Sequence, residues 1–410
     1  MSATTRAGYL DELADELWPA PTTWRATAGA GGRLQFRVIP SAAAPRLLVP
    51  VEASLAAAAV RNNAPAAGYR VRAKQRALAL ALQIGVGSMV FRDRVSVDPR
   101  GAEGEPSLPD LVDDVLGVRT RWAVPVTRAR ANRKPVIQAL DPAGRPVGFI
   151  KVGTNELTRR LVRHEADALT RLAQHDLTVT LPRVLACESW RDLTLLFLSP
   201  LDLAGSSSPR PADLLHGARE IAAVGRREDL PLRESSFWHE LGGDLAVRSD
   251  GRSRELARAW TRLDAELGDL RLPVGASHGD FAPWNAARGR AGLMLWDLER
   301  FRAEVPVGWD LVHCDLQTRI LRPGLAPDDT IEARRAHAAS LLAPLGLTAE
   351  QSSLVFASYL VDIARRWVAD RQHDLGWAEV LDGVVRSAGR PAVGAHVDRR
   401  GSDRQWERRR

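Results

Sequence analysis

Short runs of alternating apolar and polar residues dominate the first hundred positions, after one amphipathic stretch at the start of the chain. Pro19 and Pro21 end that stretch, because proline cannot continue a helix. The cluster of Gly, Pro and charged residues at 98–107 indicates a domain boundary there or slightly later. The elements predicted before it are a helix over 7–18, a hairpin of strands 33–39 and 46–51, helices over 53–61 and 69–84, and an extended stretch over 88–97.

The pattern changes near residue 119 to several strands in succession. The predicted order is strands over 121–127, 135–141 and 146–152, a helix from Thr154 as N-cap to about Ala173, and strands over 183–190 and 193–199. Beyond Pro200 the pattern predicts helices almost throughout, apart from a short segment at 278–299.

Five antiparallel strands with one helix, followed by a helical region, predict an α+β protein of two lobes with a cleft between them. A small α+β module of unknown role comes before the two lobes. The predicted division is the module over 1–115, the five-stranded lobe over 116–201, the mainly helical lobe over 202–388 and a basic tail over 389–410.

Composition excludes several classes of protein. Hydrophobic residues make up 45% and charged residues 26% of the 410 positions, which excludes disordered, collagen-like and disulfide-stapled chains. The two cysteines, Cys187 and Cys314, indicate a reducing compartment, and both are predicted to be buried. The apolar-rich segment at 77–91 is too short and too interrupted to span a bilayer, and no signal peptide is evident. We therefore predict a cytoplasmic protein without membrane contact.

The net charge of +7 is concentrated at the end of the chain. Residues 386–410 hold eight arginines against three acidic residues, so the rest of the chain is nearly balanced. This distribution predicts a solvated tail and no nucleic-acid partner.

The segment SHGDFAPWN, followed by LMLWDLER, holds the most informative polar residues. Asn285 and Asp297 offer the oxygen ligands that Mg²⁺ prefers, and a short hairpin can bring them together. Asp280 can accept a proton from an attacking hydroxyl group. A polar surface hairpin without function is the alternative interpretation.

The ordered motif HGDFAPWN and WDLE resembles the aminoglycoside phosphotransferase and choline kinase-like family, whose members share the protein kinase-like fold. By this resemblance, Asp280 is the catalytic base, and Asn285 and Asp297 bind magnesium. Glu299 becomes an auxiliary metal ligand. The resemblance covers residues 119–385, and it implies that the strand-rich lobe binds the nucleotide and the helical lobe catalyses.

A kinase of this kind also needs a cation on the third strand and an acid on the next helix. Lys151 ends the predicted strand 146–152 and is one of only three lysines in the chain. Glu165 lies on an otherwise apolar stripe of the following helix, where a carboxylate needs a buried partner. We predict an ion pair of Lys151 with Glu165 that orients the lysine toward phosphate. A surface-exposed Glu165 is the alternative.

The predicted nucleotide loop departs from the kinase pattern, because RARANRK between the first two strands contains no glycine. Asn132, Arg133 and Lys134 can supply phosphate contacts, or the run can be a solvated turn, and the sequence does not decide between them. By resemblance to the hinge between kinase lobes, Ser199 and Leu201 hold the adenine edge, while Pro200 lacks a backbone donor.

Other residues are assigned supporting roles. His278 and Asp310 brace the catalytic loop by resemblance. Trp309, Trp367 and Trp377 either line an acceptor pocket or pack in the core. A mild acidic bias late in the chain does not decide the acceptor; it comes from Asp362, Asp370, Asp374, Glu379 and Asp382.

The sequence thus predicts a phosphotransferase that depends on ATP and Mg²⁺, with GTP as an open alternative. The predicted acceptor is a small-molecule hydroxyl, as in a sugar, an aminoglycoside-like compound, an amino alcohol or a biosynthetic intermediate. Three other functions remain open. They are a kinase of peptide or protein Ser/Thr, a non-catalytic nucleotide-binding scaffold, and a metal-dependent hydrolase that uses His278, Asp280 and Asp297.

Overall fold

The computed structural model describes residues 8–18, 20, 22–26, 34–62, 69–98, 106–127, 132–248, 250–319 and 331–369. Its helices are α1 (Gly8–Leu17), α2 (Ala53–Asn62), α3 (Tyr69–Gln83), α4 (Val86–Val90), α5 (Leu108–Leu116), α6 (Glu156–Leu172), α7 (Pro211–Ala223), α8 (Ser236–Ala246), α9 (Gly251–Leu267), α10 (Trp309–Arg319), α11 (Ile331–Leu342) and α12 (Ala349–Ala369). Its strands are β1 (Thr23–Ala26), β2 (Leu34–Ile39), β3 (Leu47–Pro50), β4 (Arg94–Asp98), β5 (Arg121–Pro125), β6 (Val136–Leu140), β7 (Pro146–Gly153), β8 (Val184–Trp190), β9 (Leu193–Leu198), β10 (Arg227–Pro231), β11 (Arg271–Ser277), β12 (Ala286–Gly289), β13 (Gly292–Leu295) and β14 (Arg302–Pro306).

The predicted α+β architecture with a strand-rich and a helical lobe is confirmed. The five predicted strands are β5 to β9, and they pair antiparallel in the order β5-β6-β7-β9-β8. The strands of the N-terminal segment continue the same sheet, because Leu47 and Leu48 of β3 pair with Pro125 and Val124 of β5. Among the described residues the sheet thus has nine strands, and it crosses the region of the predicted domain boundary at 115–116, which stays a prediction.

Buried side chains on one face of the sheet explain why α1 and α5 lie there. Leu13 and Leu17 of α1 and Val112 of α5 are fully buried in one cluster with Trp122 and Phe197 of the sheet. Helix α6 packs against β7 and β9, and its buried residues join the core of the helical lobe. This helix therefore connects the packing of the two lobes.

The region after Pro200 contains more strand than the sequence predicts. Strands β10, β11 and β14 form an antiparallel sheet, and β12 and β13 form a hairpin. The prediction that this region is almost wholly helical is therefore wrong. A short apolar run such as β11 has the same sequence pattern in a buried strand as in a buried helix, so the pattern does not identify the strand. Its strand partners lie far away in the sequence.

Two local predictions need correction. The extended stretch at 88–97 divides into the end of α4 and the strand β4. Helix α6 begins at Glu156 with Asn155 as its N-cap, because the Asn155 side chain accepts from the Thr158 N–H while the Thr158 hydroxyl accepts from the Asn155 N–H.

The two cysteines differ in burial. Cys187 lies exposed on β8, the last strand of the sheet, so the prediction that it is buried is wrong. Cys314 on α10 is buried, and burial raises the pKa of its thiol to about 12. Among the helices of the described segments, none combines the length and the apolar composition that a membrane crossing requires.

Candidate active site

Lys151 and Glu165 form a buried ion pair where the strand-rich lobe meets the helical lobe. Strand β7 carries Lys151, which is 9% exposed, and α6 carries Glu165, which is 0% exposed. The lysine Nζ lies 2.7 Å from Glu165 Oε1 and 2.6 Å from Oε2. The alternative of a surface-exposed Glu165 is therefore wrong, and the apolar stripe of α6 does place its one carboxylate beside the lysine.

Asp297 completes this cluster from the helical lobe. Its Oδ1 lies 2.6 Å from Lys151 Nζ, and the next residue, Leu298, donates its N–H to Glu165 Oε1 at 3.1 Å. Asp297 has a φ of 71°, a left-handed conformation that residues other than glycine rarely adopt. Backbone strain of this kind concentrates at ligand-binding and catalytic positions.

A second lysine, Lys134, reaches the same cluster from the segment before β6. It forms a salt bridge with Glu299, and both side chains are 9% exposed. Carboxylate oxygens of Glu165, Asp297 and Glu299 lie within 4.8 Å of one another. Three carboxylates and two ammonium groups give this cluster a formal charge of −1 when all five are ionised. Burial and the charge of Asp297 raise the pKa of the Glu299 carboxyl above its ordinary value.

The charges of the cluster shift each other's pKa values. Burial lowers the pKa of the Lys151 ammonium, but the carboxylates of Asp297, Glu165 and Glu299 outweigh burial and hold this pKa well above its ordinary value. Burial likewise raises the pKa of the Asp297 carboxyl, and the two lysines outweigh it, so that this pKa lies below its ordinary value. Lysine and aspartate are therefore both charged at neutral pH.

Asp280 and Asn285 face each other across the loop between β11 and β12. The Asn285 amide Nδ2 donates to both the backbone oxygen and Oδ2 of Asp280, each at 2.9 Å. Because the amide nitrogen is engaged in this way, the Asn285 Oδ1 is the atom left to bind a metal. The Trp296 N–H donates to the Asn285 carbonyl at 3.1 Å, which brings Asn285 next to Asp297 at the end of the β12–β13 hairpin.

Asp310 and His278 brace this loop from below. Asp310, at the start of α10, accepts hydrogen bonds from the Ser277 hydroxyl at 2.7 Å and from the His278 N–H at 2.8 Å. The His278 ring lies with Nε2 3.0 Å from the Trp296 carbonyl oxygen. Gly279 has a φ of 80°, and a Cβ there would lie 1.8 Å from the Arg300 carbonyl oxygen, so only glycine fits at this position.

His313 contacts Asp280, although it lies outside the sequence motifs that predict the site. Its Nε2 lies 3.0 Å from Asp280 Oδ1, and its Nδ1 lies 2.7 Å from the Tyr359 hydroxyl. Burial raises the pKa of the Asp280 carboxyl, but the hydrogen bond from His313 helps to outweigh burial and holds this pKa well below its usual range. The one sequence signal for His313 is its spacing of three residues from Asp310, which puts both on one side of α10.

Residues 132–134, the described part of the predicted nucleotide loop, point their side chains in different directions. The Lys134 ammonium donates to the Asn132 carbonyl at 3.2 Å, close to its salt bridge with Glu299. The neighbouring Arg133 turns to α1, where its Nη2 lies 2.7 Å from Glu16 Oε2. Asn132 and Lys134 therefore lie near the carboxylate cluster, whereas Arg133 does not.

Of the two residues predicted to hold the adenine edge after β9, Ser199 has its backbone N–H engaged elsewhere. The Ser199 N–H donates to the Arg183 carbonyl at 2.8 Å, and its hydroxyl accepts from the Arg183 N–H at 2.9 Å. Ser199 is thus engaged with its own sheet. The Leu201 carbonyl accepts from the Leu203 N–H at 3.0 Å, while the Leu201 N–H has no partner among the described residues.

The candidate acceptor residues lie mostly in the core or outside the described residues. Trp309 and Trp367 are 2% and 8% exposed, which favours the core interpretation, and Trp377 lies outside the described residues. The exposed tryptophan of the site is Trp284, which is 44% exposed directly before Asn285. The acidic residues Asp370, Asp374, Glu379 and Asp382 also lie outside the described residues.

Asp362 does not face an acceptor pocket. It is fully buried, with Oδ1 2.7 Å from Arg365 Nη2 and 3.3 Å from Arg302 Nη2, and with Oδ2 3.2 Å from Arg366 Nε. Arg366 in turn donates to the Gly279 carbonyl at 3.1 Å. Asp362 therefore holds together the charged groups that support the catalytic loop.

We expect Asp362→Asn to lower the free energy of unfolding by about 3 kcal/mol, because it leaves buried guanidinium groups without their carboxylate. The matched change Asp244→Asn, at a partner of Arg365 that is 52% exposed, is expected to cost less than about 1 kcal/mol. Urea unfolding of both variants tests this. The pKa of Asp362 is lower in the folded protein than in the unfolded chain, where it is about 3.9. The carboxylate therefore contributes to the free energy of unfolding above about pH 3.9, and this contribution is lost as the pH falls toward the folded pKa. Equal losses in the two variants at pH 7 would contradict this account.

These groups together suit one kind of chemistry. Hard oxygen ligands, a buried ammonium group and an ionised carboxylate with fixed geometry are what a phosphoryl transfer with a magnesium–nucleotide complex requires. Asn285 links the two aspartates, because its side chain donates to Asp280 and its backbone carbonyl accepts from Trp296, the residue before Asp297.

Comparison with known proteins gives similarity at the level of solved structures. No family model matches the chain, and no curated protein sequence matches it. A thermostable mutant of aminoglycoside phosphotransferase APH(4)-Ia in its apo form is 15% identical, with 68% of this chain and 99% of that chain covered and a TM-score of 0.45. A ternary complex of that phosphotransferase with AMP-PNP and hygromycin B is 14% identical over 71% of this chain and 100% of that chain, with a TM-score of 0.46. The gentamicin complex of APH(2'')-IIa is 11% identical over 68% of this chain and 95% of that chain, with a TM-score of 0.41. At these identities no activity is transferred to this chain from its neighbours.

Proposed function

We propose that this protein is a phosphotransferase that moves the γ-phosphoryl group of ATP to a hydroxyl group of a small molecule in the presence of Mg²⁺. The observation that carries the proposal is the contact of Lys151 with both Glu165 and Asp297, at 2.6 to 2.7 Å, beside an Asp280 carboxylate oriented by Asn285. A surface hairpin without function has no reason to bury Lys151, Glu165 and Asn285. The two aspartates, Asp280 and Asp297, are half-buried beside them.

Lys151 would bind nucleotide phosphate, with Glu165 fixing its position. Because Glu165 is fully buried and contacts the lysine with both oxygens, the ammonium group is held in one place. Lys134 supplies a second positive charge in the segment where kinases use glycines, with the Asn132 backbone beside it. The Leu201 N–H is the available backbone donor for an adenine edge, since Ser199 is engaged with Arg183.

Asn285, Asp297 and Glu299 would hold Mg²⁺. Their ligand atoms are oxygens, which fits a hard divalent cation. Asp297 and Glu299 lie with Glu165 in a group whose carboxylate oxygens are within 4.8 Å of one another. When bound, the ion would neutralise charge on the phosphate groups. The chain itself orients the Asn285 oxygen by engaging the amide nitrogen with Asp280.

Asp280 would accept the proton of the acceptor hydroxyl as the oxygen attacks the γ-phosphorus and the bond to ADP breaks. Its carboxyl is ionised at neutral pH because its pKa lies below the usual range. Each carboxylate oxygen contacts one protein donor and retains a lone pair for the acceptor. The exposed Trp284 offers an apolar face nearby for a sugar ring.

The rival functions find less support among the described residues. A hydrolase with a transition metal needs a ring nitrogen of His278, but Nε2 contacts the Trp296 carbonyl and Nδ1 accepts from the Asp280 N–H at 3.4 Å. A non-catalytic scaffold leaves unexplained why Lys151, Glu165, Asp280, Asn285 and Asp297 are all present in one cluster.

We expect thermal unfolding to shift upward when ATP and Mg²⁺ are added together, and much less with either alone. At about 100 times its dissociation constant a ligand stabilises by about 2.7 kcal/mol. Asp297→Ala is expected to remove most of the shift, because it removes one metal ligand and one partner of Lys151. GTP in place of ATP identifies the preferred base.

The matched control is Asp176→Ala at an exposed position, which is expected to keep the full shift. Unchanged unfolding of the wild-type protein with millimolar ATP or GTP and Mg²⁺ would contradict the proposal. An equal shift in wild type and Asp297→Ala would contradict the role of Asp297 alone.

A further inference from the structure

His313 and Tyr359 form a buried pair behind the Asp280 carboxylate. His313, on α10, is 2% exposed, and Tyr359, on α12, is 0% exposed. Their rings meet edge to face with centroids 5.8 Å apart, and the hydroxyl of Tyr359 lies 2.7 Å from His313 Nδ1. The other ring nitrogen, Nε2, lies 3.0 Å from Asp280 Oδ1. The imidazole thus bridges a buried phenol and the carboxylate.

The chemistry of the carboxylate fixes the direction of the hydrogen bond between His313 and Asp280. An ionised carboxylate only accepts, so Nε2 of His313 carries a proton and donates it to Asp280. The other ring nitrogen, Nδ1, forms its hydrogen bond with the Tyr359 hydroxyl, a group that both donates and accepts. Burial raises the pKa of Tyr359, which keeps its hydroxyl protonated and able to donate.

Each of the two carboxylate oxygens of Asp280 therefore accepts a hydrogen bond from a different residue. Oδ1 accepts from His313, and Oδ2 accepts from the Asn285 amide at 2.9 Å. Two contacts of this kind fix the plane of the carboxylate, whereas one contact would leave it able to rotate. Asp310, three residues before His313, holds the backbone of the same loop. One turn of α10 thus fixes both the loop and the side chain that it carries.

We infer that His313 is a positioning residue, oriented by Tyr359, that holds the Asp280 carboxylate in the orientation for attack on phosphate. This inference rests on the proposed phosphotransferase function. Asp280 remains the group that meets the acceptor, and His313 acts through it. A histidine that served only core packing would not need its Nε2 directed at the carboxylate.

Two substitutions at His313 separate positioning from packing. His313→Phe keeps a ring but removes both hydrogen bonds, and His313→Gln retains an amide N–H for Asp280. We expect His313→Phe to lower the rate of ATP hydrolysis, in which water takes the place of the acceptor hydroxyl, by about 100-fold. A small misplacement of a reacting group has an effect of this size. His313→Gln is expected to hydrolyse ATP at least tenfold faster than His313→Phe, as about 10-fold follows from restoring one hydrogen bond. Tyr359→Phe is expected to lower turnover by about 2- to 10-fold, the effect of one hydrogen bond.

The measurement is phosphate release from ATP with Mg²⁺, with KM for ATP and thermal unfolding recorded for every variant. His239→Gln, at an exposed position on α8, is the matched control and is expected to keep wild-type turnover. We expect KM to stay within about twofold, because His313 contacts none of the groups assigned to the nucleotide. Equal turnover of His313→Phe and wild type would overturn the inference, as would equal losses in His313→Phe and His313→Gln.

Failure of the proposed function is recognised separately. If Asp280→Ala turns over ATP as fast as wild type, the phosphotransferase proposal fails. The contact itself is tested without activity, by ¹⁵N signals of the histidine side chains in wild type and Asp280→Ala. We expect the Nε2 signal of His313 to shift in that variant, and an unmoved signal would overturn the inference.

Discussion

Replacing Asp280 with Ala is expected to lower the turnover of ATP by about 10³-fold while nucleotide affinity stays within about threefold. General acid–base groups contribute about 10² to 10⁴-fold to a reaction, and Asp280 is a carboxylate in direct contact with Asn285, one of the magnesium ligands proposed here. Its contacts go to Asn285 and His313, and Lys151 contacts other carboxylates. The substitution therefore removes the proton acceptor and one of the two hydrogen bonds of the Asn285 amide. Asn285 keeps its hydrogen bond to the backbone oxygen of residue 280, and Lys151 keeps all its contacts.

Asp280→Asn is the sharper variant, because it retains the shape of the side chain and loses the ability to take a proton. We expect it to be as inactive as Asp280→Ala. Phosphate release from ATP gives the turnover, and calorimetric titration with ATP and Mg²⁺ gives the affinity. Asp176→Asn, at an exposed position, serves as the control with unchanged turnover. A parallel loss of affinity and turnover would contradict the separation of roles between Asp280 and the nucleotide groups.

The Lys151–Glu165 pair could be predicted because each member stands out in a local pattern. Lys151 ends a strand in a chain with three lysines, and Glu165 interrupts an apolar stripe at helical spacing. A charged residue on an apolar face needs a buried partner of opposite charge, so the two patterns together predict that Lys151 contacts Glu165. The structure agrees with this prediction at 2.6 to 2.7 Å.

His313 could not be predicted in the same way. It lies 33 residues beyond Asp280, outside any motif, and its contact depends on how α10 packs under the catalytic loop. The choice between Arg133 and Lys134 was likewise open, because adjacent side chains on extended backbone point in different directions. Only the position of α1, whose Glu16 takes up Arg133, decides which of the two faces the carboxylates.

The limits on predicting the fold have the same origin. Strands β5 to β9 follow one another along the chain as local alternation predicts. Strand β4, however, pairs with both β1 and β2, so that Val97 lies opposite Leu34 across 63 positions of sequence. Such pairing is set by packing between segments that are distant in sequence. The alternation of apolar and polar residues within one strand does not show which other strand it pairs with. The continuous nine-stranded sheet therefore emerges only from the structure.

The buried carboxylates make Lys151→Met the substitution with the largest expected cost in stability. It removes the ammonium group that contacts Glu165 and Asp297 and leaves Glu165, at 0% exposure, without its cation. Breaking a buried ion pair on one side costs about 3 to 5 kcal/mol, because the remaining charge stays desolvated. We expect a loss of that size in the free energy of unfolding, measured from urea unfolding with an unchanged slope.

Two further variants separate stability from function at this position. Lys74→Met, at an exposed lysine on α3, is the matched control and is expected to change stability by less than about 0.5 kcal/mol. Lys151→Met combined with Glu165→Gln removes both charges and is expected to recover more than half of the lost stability without restoring nucleotide binding. The reason is that Gln removes the unpaired charge but supplies no cation for phosphate. Wild-type stability of Lys151→Met would mean that Lys134 alone balances the carboxylates, and the assignment of Lys151 to phosphate would lose its electrostatic basis.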